Sequence, residues 1–390
     1  MKNPKKLLAL ALSCLLCLTF LASCKNEDGG GITVSRVTSD VSDENSHKEP
    51  SEDKNDSPQE QTEEISEELS ENSNEESNEE SKEESKEELR DAPDVPPELT
   101  KSPMTVTKVN DSFYRIESEL ENKDVLELTF TEKPWSTFNL GAWTLVDGKS
   151  GGRTSFVHGS TDWEYVYRAG ETRASWDWSG GNHGKEQIVS LKFYDGITDR
   201  EIKFRTGTPV KTENLVIVEN TRLHWGDISN SFADVTRKYT VVGTQIKLNV
   251  DYKYTKDCYN WLSYTCMFPI DKKYGLYCDM IDENGKVINT ITTKKIGAGD
   301  YSGPMNDKNA AVRAYIYGYA DDRYAFDVRV TTKETSTENF KNDFKTAFWD
   351  MNTTENKLYF SKYDKDIPTK VEAGTELSTE CVWNFIMNEK

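Results

Sequence analysis

The segment Trp176-Asp177-Trp178-Ser179-Gly180-Gly181-Asn182-His183-Gly184-Lys185-Glu186 gathers more chemistry than any other stretch of the chain. Three glycines around one histidine permit unusual backbone angles and a close approach by another molecule. Trp163, Trp176, Trp178 and Trp225 offer flat faces on which a pyranose ring can lie. Trp176 and Trp178 stand at alternate positions and so share one face of a strand. Asn182, His183, Glu186, Arg168, Arg173 and His224 supply hydrogen bonds or charge suited to hydroxyls and uronates. The expected ligand-binding set is therefore Trp176, Trp178, Asn182, His183, Glu186 and Arg173. Against it stands a plainer reading, in which the glycines make a connection, His183 bonds its own loop, and the tryptophans belong to a core.

His183 and Glu186 also form an HxxE spacing. Gly180 to Glu186 resembles the His-x-x-Glu stretch of zinc carboxypeptidases, a likeness seven residues long. It implies a metal held by His183 and Glu186, a helix after the motif and a distant third ligand. Gln187 to Tyr194 instead alternates like a strand, and His224 is the one histidine downstream. The motif departs from that family's context, and no metal or cofactor is expected.

The elements that must position these residues are strands. In Gln245 to Tyr254, Ile246, Leu248, Val250, Tyr252 and Tyr254 fall on one face and Lys247, Asn249, Asp251 and Lys253 on the other. Val125 to Phe130, Gln187 to Tyr194, Asn214 to Val218, Val287 to Ile291 and Tyr324 to Val330 are further strand candidates. Turn pairs stand at Asp147-Gly148, Asp195-Gly196 and Asn284-Gly285, the last predicting a tight hairpin. No long amphipathic helix is found, and Asn339 to Trp349 is ambiguous. Short strands without βαβ alternation predict an all-β body, a large β-sandwich or jelly roll. It should span residues 104–390, with a composition change at 206–213 as a candidate internal boundary.

The N-terminus supplies an address. Lys2, Lys5 and Lys6 precede the apolar run Leu7 to Phe20, and Leu21-Ala22-Ser23-Cys24 follows, which is the order of an export signal. The run is shorter than the roughly 20 residues a membrane span needs. Leu21 to Cys24 resembles the lipobox of bacterial lipoproteins. The resemblance implies a signal peptide over 1–23, diacylglycerol on Cys24, and attachment to the membrane at the bacterial cell surface.

Of the net charge of −20, residues 25–100 contribute −19 and residues 101–390 only −4. The acidity belongs to a tether. Asp40 to Pro97 holds no Phe, Tyr or Trp, and Asn74 to Glu88 repeats NEES and KEES with no recurring apolar position. Such a segment buries nothing and repels itself, which predicts a disordered linker over 24–103. About 76 flexible residues reach roughly 50 Å, a stalk between membrane and body. Neither part carries the basic excess that a nucleic-acid partner needs.

Four cysteines, Cys258, Cys266, Cys278 and Cys381, remain in the body. If Cys258 to Phe268 is one strand, Cys258 and Cys266 stand roughly 26 Å apart and cannot pair. The other two pairings, or four buried thiols, stay open. Two functional classes follow. The first is a surface module that binds extracellular glycan. The second is a carbohydrate-active enzyme of lyase or epimerase type, with His183 or a tyrosine as base and Arg173 or Asn182 facing the uronate. A purely structural envelope protein is the third and plainest possibility.

Overall fold

The computed structural model describes residues 89–159, 161–295, 301–305, 311–331, 345–361 and 368–388. The signal peptide, Cys24 and the tether up to residue 88 fall outside the described residues.

Antiparallel strands build three sheets. The first has six strands, ordered Pro209–Thr212, Met104–Asn110, Phe113–Glu119, Val125–Glu132, Phe138–Val146 and Arg153–His158. The second has ten, with Gln245–Tyr254 near its centre between Ser231–Val242 and Glu376–Met387, and Glu186–Asp195 toward one edge. The third has seven, and its path ends Glu355–Ser361, Cys258–Asp271, Val166–Gly170, Asp177–Ser179. Among the described residues, two 3-10 turns, Gly181–His183 and Ile228–Asn230, interrupt the strands. The body is an all-β sandwich.

Its core follows from period-two burial. All five apolar residues of the Gln245–Tyr254 face are buried, and the strand pairs in register with Ser231–Val242 and Glu376–Met387. Asn284-Gly285 closes the hairpin between Tyr277–Ile281 and Val287–Thr292, with Gly285 at φ +76°. One apolar cluster draws on all three sheets, including Ile116, Phe130, Leu248, Phe268, Phe326 and Phe360. Trp143 lies at its middle, with ring centroids 5.6 Å from Trp163, 6.0 Å from Phe326 and 6.3 Å from Phe268. Residues 206–213 do not divide this core. They carry the chain to the first sheet, where Pro209–Thr212 pairs with Met104–Asn110.

The body also begins earlier than residue 104. The Ala92 amide donates to the Gly285 carbonyl over 2.9 Å. Arg313 donates to the Pro93 and Asp94 carbonyls at 2.7 and 3.0 Å. Gln245 clasps the next turn, with Nε2 on the Pro97 carbonyl at 2.6 Å and Oε1 receiving the Leu99 amide at 2.7 Å. Proline fixes φ and lacks an amide hydrogen, so this proline-rich strip lies along the body and offers carbonyls to side chains beneath it.

Cys258, Cys266, Cys278 and Cys381 are buried as free thiols. Cys258–Asp271 is one strand, which separates Cys258 from Cys266 as the spacing requires. Cys381 lies against Cys266 across the sandwich, and burial pushes its thiol well up.

Candidate functional site

Val166–Gly170 and Asp177–Ser179 form a hairpin at the end of the third sheet, with Arg168 opposite Trp178. Cross-strand partners share a face, as do residues two apart on one strand, so Arg168, its partner Trp178 and Trp176 turn to one side. The Arg168 guanidinium carbon lies 3.5 Å from the Trp176 ring centroid and 5.9 Å from those of Trp178 and Trp261. Three indoles thus surround one cation, each contact worth about 0.5–1 kcal/mol or more. Trp176 is 45 % exposed and meets Trp178 edge to face at 6.4 Å. His183 stacks on Trp178, centroids 4.8 Å apart and planes 15° from parallel. At the turn, exposed Arg173 reaches over Tyr259, 5.8 Å from its ring.

Trp261 reaches this face because Cys258–Asp271 carries a register shift between Asn260 and Leu262 where it pairs with Val166–Gly170. The extra residue re-aims the side chain. The surface continues inward from Trp178 through Val166 and Met267 to Tyr264, Tyr359 and Trp349, with Tyr264 and Tyr359 centroids 4.5 Å apart. It is an open face. Two surface hollows of the body lie elsewhere, one lined by Leu99, Gln245 and Arg329, the other by Met104, Glu117 and Lys211.

The glycine turn is bolted to the body. A Cβ on Gly180, at φ +85°, would come within 3.0 Å of the Tyr165 ring, and one on Gly181, at φ +52°, within 2.6 Å of Asp162. Their lack of side chains is required by the packing beneath, not by a molecule above. Asp162 is buried under the turn, receives the Asn182 amide, and has its carboxyl pushed up by burial, with Lys357 and Lys133 opposing. Burial in turn pushes the Lys357 amine down. Above, Lys133 donates to the Asn182 side-chain oxygen at 2.6 Å, and Lys185 pairs with Asp177.

Of the six expected ligand-binding residues, Trp176, Trp178, His183 and Arg173 stand on or around the hairpin surface, and Asn182 is exposed on the adjoining turn. Glu186 does not join them. Its side chain is fully buried, accepts from the Tyr165 and Thr221 hydroxyls, the latter at 2.6 Å, and faces Arg237 at 3.8 Å. His183 ends the 3-10 turn and Glu186 opens the next strand, with Gly184 at φ +66° and Lys185 at φ +52° between them, so the two side chains leave in different directions. No group of three His, Cys, Asp or Glu side chains among the described residues is arranged to hold a metal ion. His224 is half-buried, and burial lowers its imidazole. Trp163 and Trp225 are core residues, the latter stacked on Phe232 at 4.6 Å. Sequence reasoning overlooked Tyr259, Trp261 and Asp162. The WxxY pattern of Trp261 and Tyr264 breaks strand alternation, and that break was the available signal of a bulge.

The fold and site define an all-β sandwich that displays an open face of tryptophans and stacked cations. No family model matches the sequence, and no curated protein does. Among solved structures, the chain is similar to GH36 α-galactosidase AgaB of Geobacillus stearothermophilus, with TM-score 0.44, 10 % identity, and coverage of 73 % of this chain and 41 % of that one. It is similar to an α-galactosidase from Lactobacillus brevis at TM-score 0.38 and 8 % identity, covering 73 % and 39 %. A putative aldose 1-epimerase from Klebsiella pneumoniae gives TM-score 0.40 and 8 % identity, covering 74 % and 88 %. The chain spans about two fifths of the length of those galactosidases.

Proposed function

We propose that this protein is a lipid-anchored surface protein whose sandwich binds extracellular glycan across the Trp176–Trp178 hairpin. One observation carries the reading: a large indole, Trp176, is held outward at 45 % exposure by a stacked arginine instead of being folded into a core that takes Trp143, Trp163 and Trp383 completely. Burying such a ring would gain about 1.5–3 kcal/mol. A ring held at the surface against that gain is suited to a flat partner, and the C–H faces of a pyranose meet that requirement. An open face also accommodates a polymer better than a single sugar, which an enclosed pocket would hold more completely.

Retardation of the protein in gels containing a panel of neutral and acidic polysaccharides tests this. At least one polymer should retard the wild type, and Trp176→Ala should abolish the effect while the melting temperature stays nearly unchanged. Retardation by no polymer contradicts the reading. The enzyme alternative is checked in the same incubations, because a lyase releases unsaturated products that absorb ultraviolet light. The anchor rests on the lipobox-like Leu21 to Cys24. Cys24→Ala should release the protein from the membrane fraction or block its processing.

A further inference from the structure

We infer that the glycan bound on this face is acidic, its carboxylates received by Arg168 and Arg173; the inference rests on the glycan-binding reading above. Seven arginines of the body, Arg90, Arg115, Arg153, Arg222, Arg237, Arg313 and Arg323, lie within ion-pair distance of a carboxylate. Among the described residues Arg168, Arg173, Arg200, Arg205 and Arg329 do not, and of these five Arg168 and Arg173 are the two that stack on aromatic rings. Among the described residues their recorded partners are aromatic rings, Trp176, Trp178 and Trp261 for one and Tyr259 for the other. Stacking uses the flat face of a guanidinium and leaves its in-plane N–H groups free to donate, and the Arg168 Nε–H is itself buried without an acceptor among the described residues. Those groups form the fork that matches a carboxylate in two parallel hydrogen bonds.

The neighbouring charges do not cancel these cations. Asp177 is taken by Lys185. Asp162 is buried and pushed toward its neutral form, and Lys133 is bound to the neutral Asn182 amide. Glu171, exposed on the same turn, is one carboxylate against Arg168, Arg173 and Lys133. This local positive excess stands on a body of net charge −4 in a chain whose residues 25–100 carry −19. General attraction therefore cannot hold a polyanion here, and any acidic polymer that binds must do so through these local groups. Aromatic faces at pyranose scale beside guanidinium groups that no carboxylate of the body occupies fit a chain of uronate rings, which present one carboxylate per sugar.

The test compares polygalacturonate with the same polymer after chemical reduction of its carboxyls to alcohols, both offered to the full chain. Polygalacturonate should bind, and the reduced polymer should bind about tenfold more weakly or worse, as expected when hydrogen bonds to a charged group are lost. Arg173→Gln should weaken polygalacturonate binding several-fold and leave the reduced polymer unaffected. Arg173 lies on an exposed turn, so this variant separates recognition from folding, whereas Arg168→Gln also removes the stack under Trp176. Equal binding of the two polymers, or an Arg173→Gln variant indistinguishable from wild type, overturns the acidic inference. Trp176-dependent binding to neutral polysaccharides alone also overturns it and leaves the glycan reading standing. Binding to no polysaccharide overturns both.

Discussion

Arg237 enters the core opposite Glu219, at 2.6 Å, and Glu186, at 3.8 Å, with Glu164 joined through the Tyr239 hydroxyl at 3.1 Å. Every one of these groups is fully buried. Three carboxylates facing one guanidinium cannot all remain charged without water. Glu219 yields: burial pushes its carboxyl up to about 8, against the opposing pull of Arg237 and of the Phe138 amide it accepts. A carboxyl raised in the folded state is protonated there while still ionised in the unfolded chain. Its contribution to stability is full below the unfolded value near 4.5 and is lost as pH rises through about 8. The melting temperature should therefore fall between pH 5 and pH 8.5, and Glu219→Gln should flatten that fall. Thermal unfolding across the window decides, and an unchanged slope in the variant contradicts the assignment. Burial pushes Asp162 and Asp327 in the same direction, so they share the wild-type slope but not the difference. The sequence could not show this cluster. Charge alone does not say which face of a strand a carboxylate will occupy: Glu219 stands directly opposite Arg237 on the neighbouring strand, and Glu186 lies one strand further. For the same reason Glu186 was expected at the ligand and belongs to the core.

At the scale of the element, strands were legible wherever apolar residues alternated. Gln245–Tyr254 has the bounds its pattern predicts, and Val125–Glu132, Glu186–Asp195 and Val287–Thr292 differ from expectation by two residues or fewer at each end. Alternation gives a strand but not which sheet packs over each face. Trp163 and Trp225 were therefore indistinguishable from Trp176 before the structure. Leu215–His224 runs six residues beyond its expected end because Glu219 and Thr221 occupy inward positions and break the apolar pattern. The glycine turn was located correctly and its cause was not, since close packing below and ligand approach above leave the same glycines in a sequence. Gly181→Ala should strain φ and drive a methyl group against Asp162 and Val166. We expect a loss of about 1–3 kcal/mol, read by denaturant unfolding. A neutral effect would show that the turn can move away from Asp162.

At the scale of the molecule, the docked strip places the start of the body before residue 104. The composition of 24–103 predicts a disordered linker, but Arg90 reaches Asp279 at 2.8 Å and carbonyls from Pro93 to Pro97 satisfy side chains of the large sheet. A body beginning at residue 89 should unfold as the full chain does. One beginning at residue 104 leaves Arg313 and Gln245 without these acceptors and should lose about 1–3 kcal/mol, seen as a lower melting temperature. Equal melting temperatures would mean the strip adds nothing.

The glycan-binding face is tested most directly by hydroxyl-radical footprinting of the full chain with and without a polysaccharide that retards it. Trp176 and His183 should lose reactivity when the polymer is present, while Tyr319, 44 % exposed in another part of the body, should keep its own. Protection that spares Trp176 and His183 and falls elsewhere on the sandwich would contradict the account.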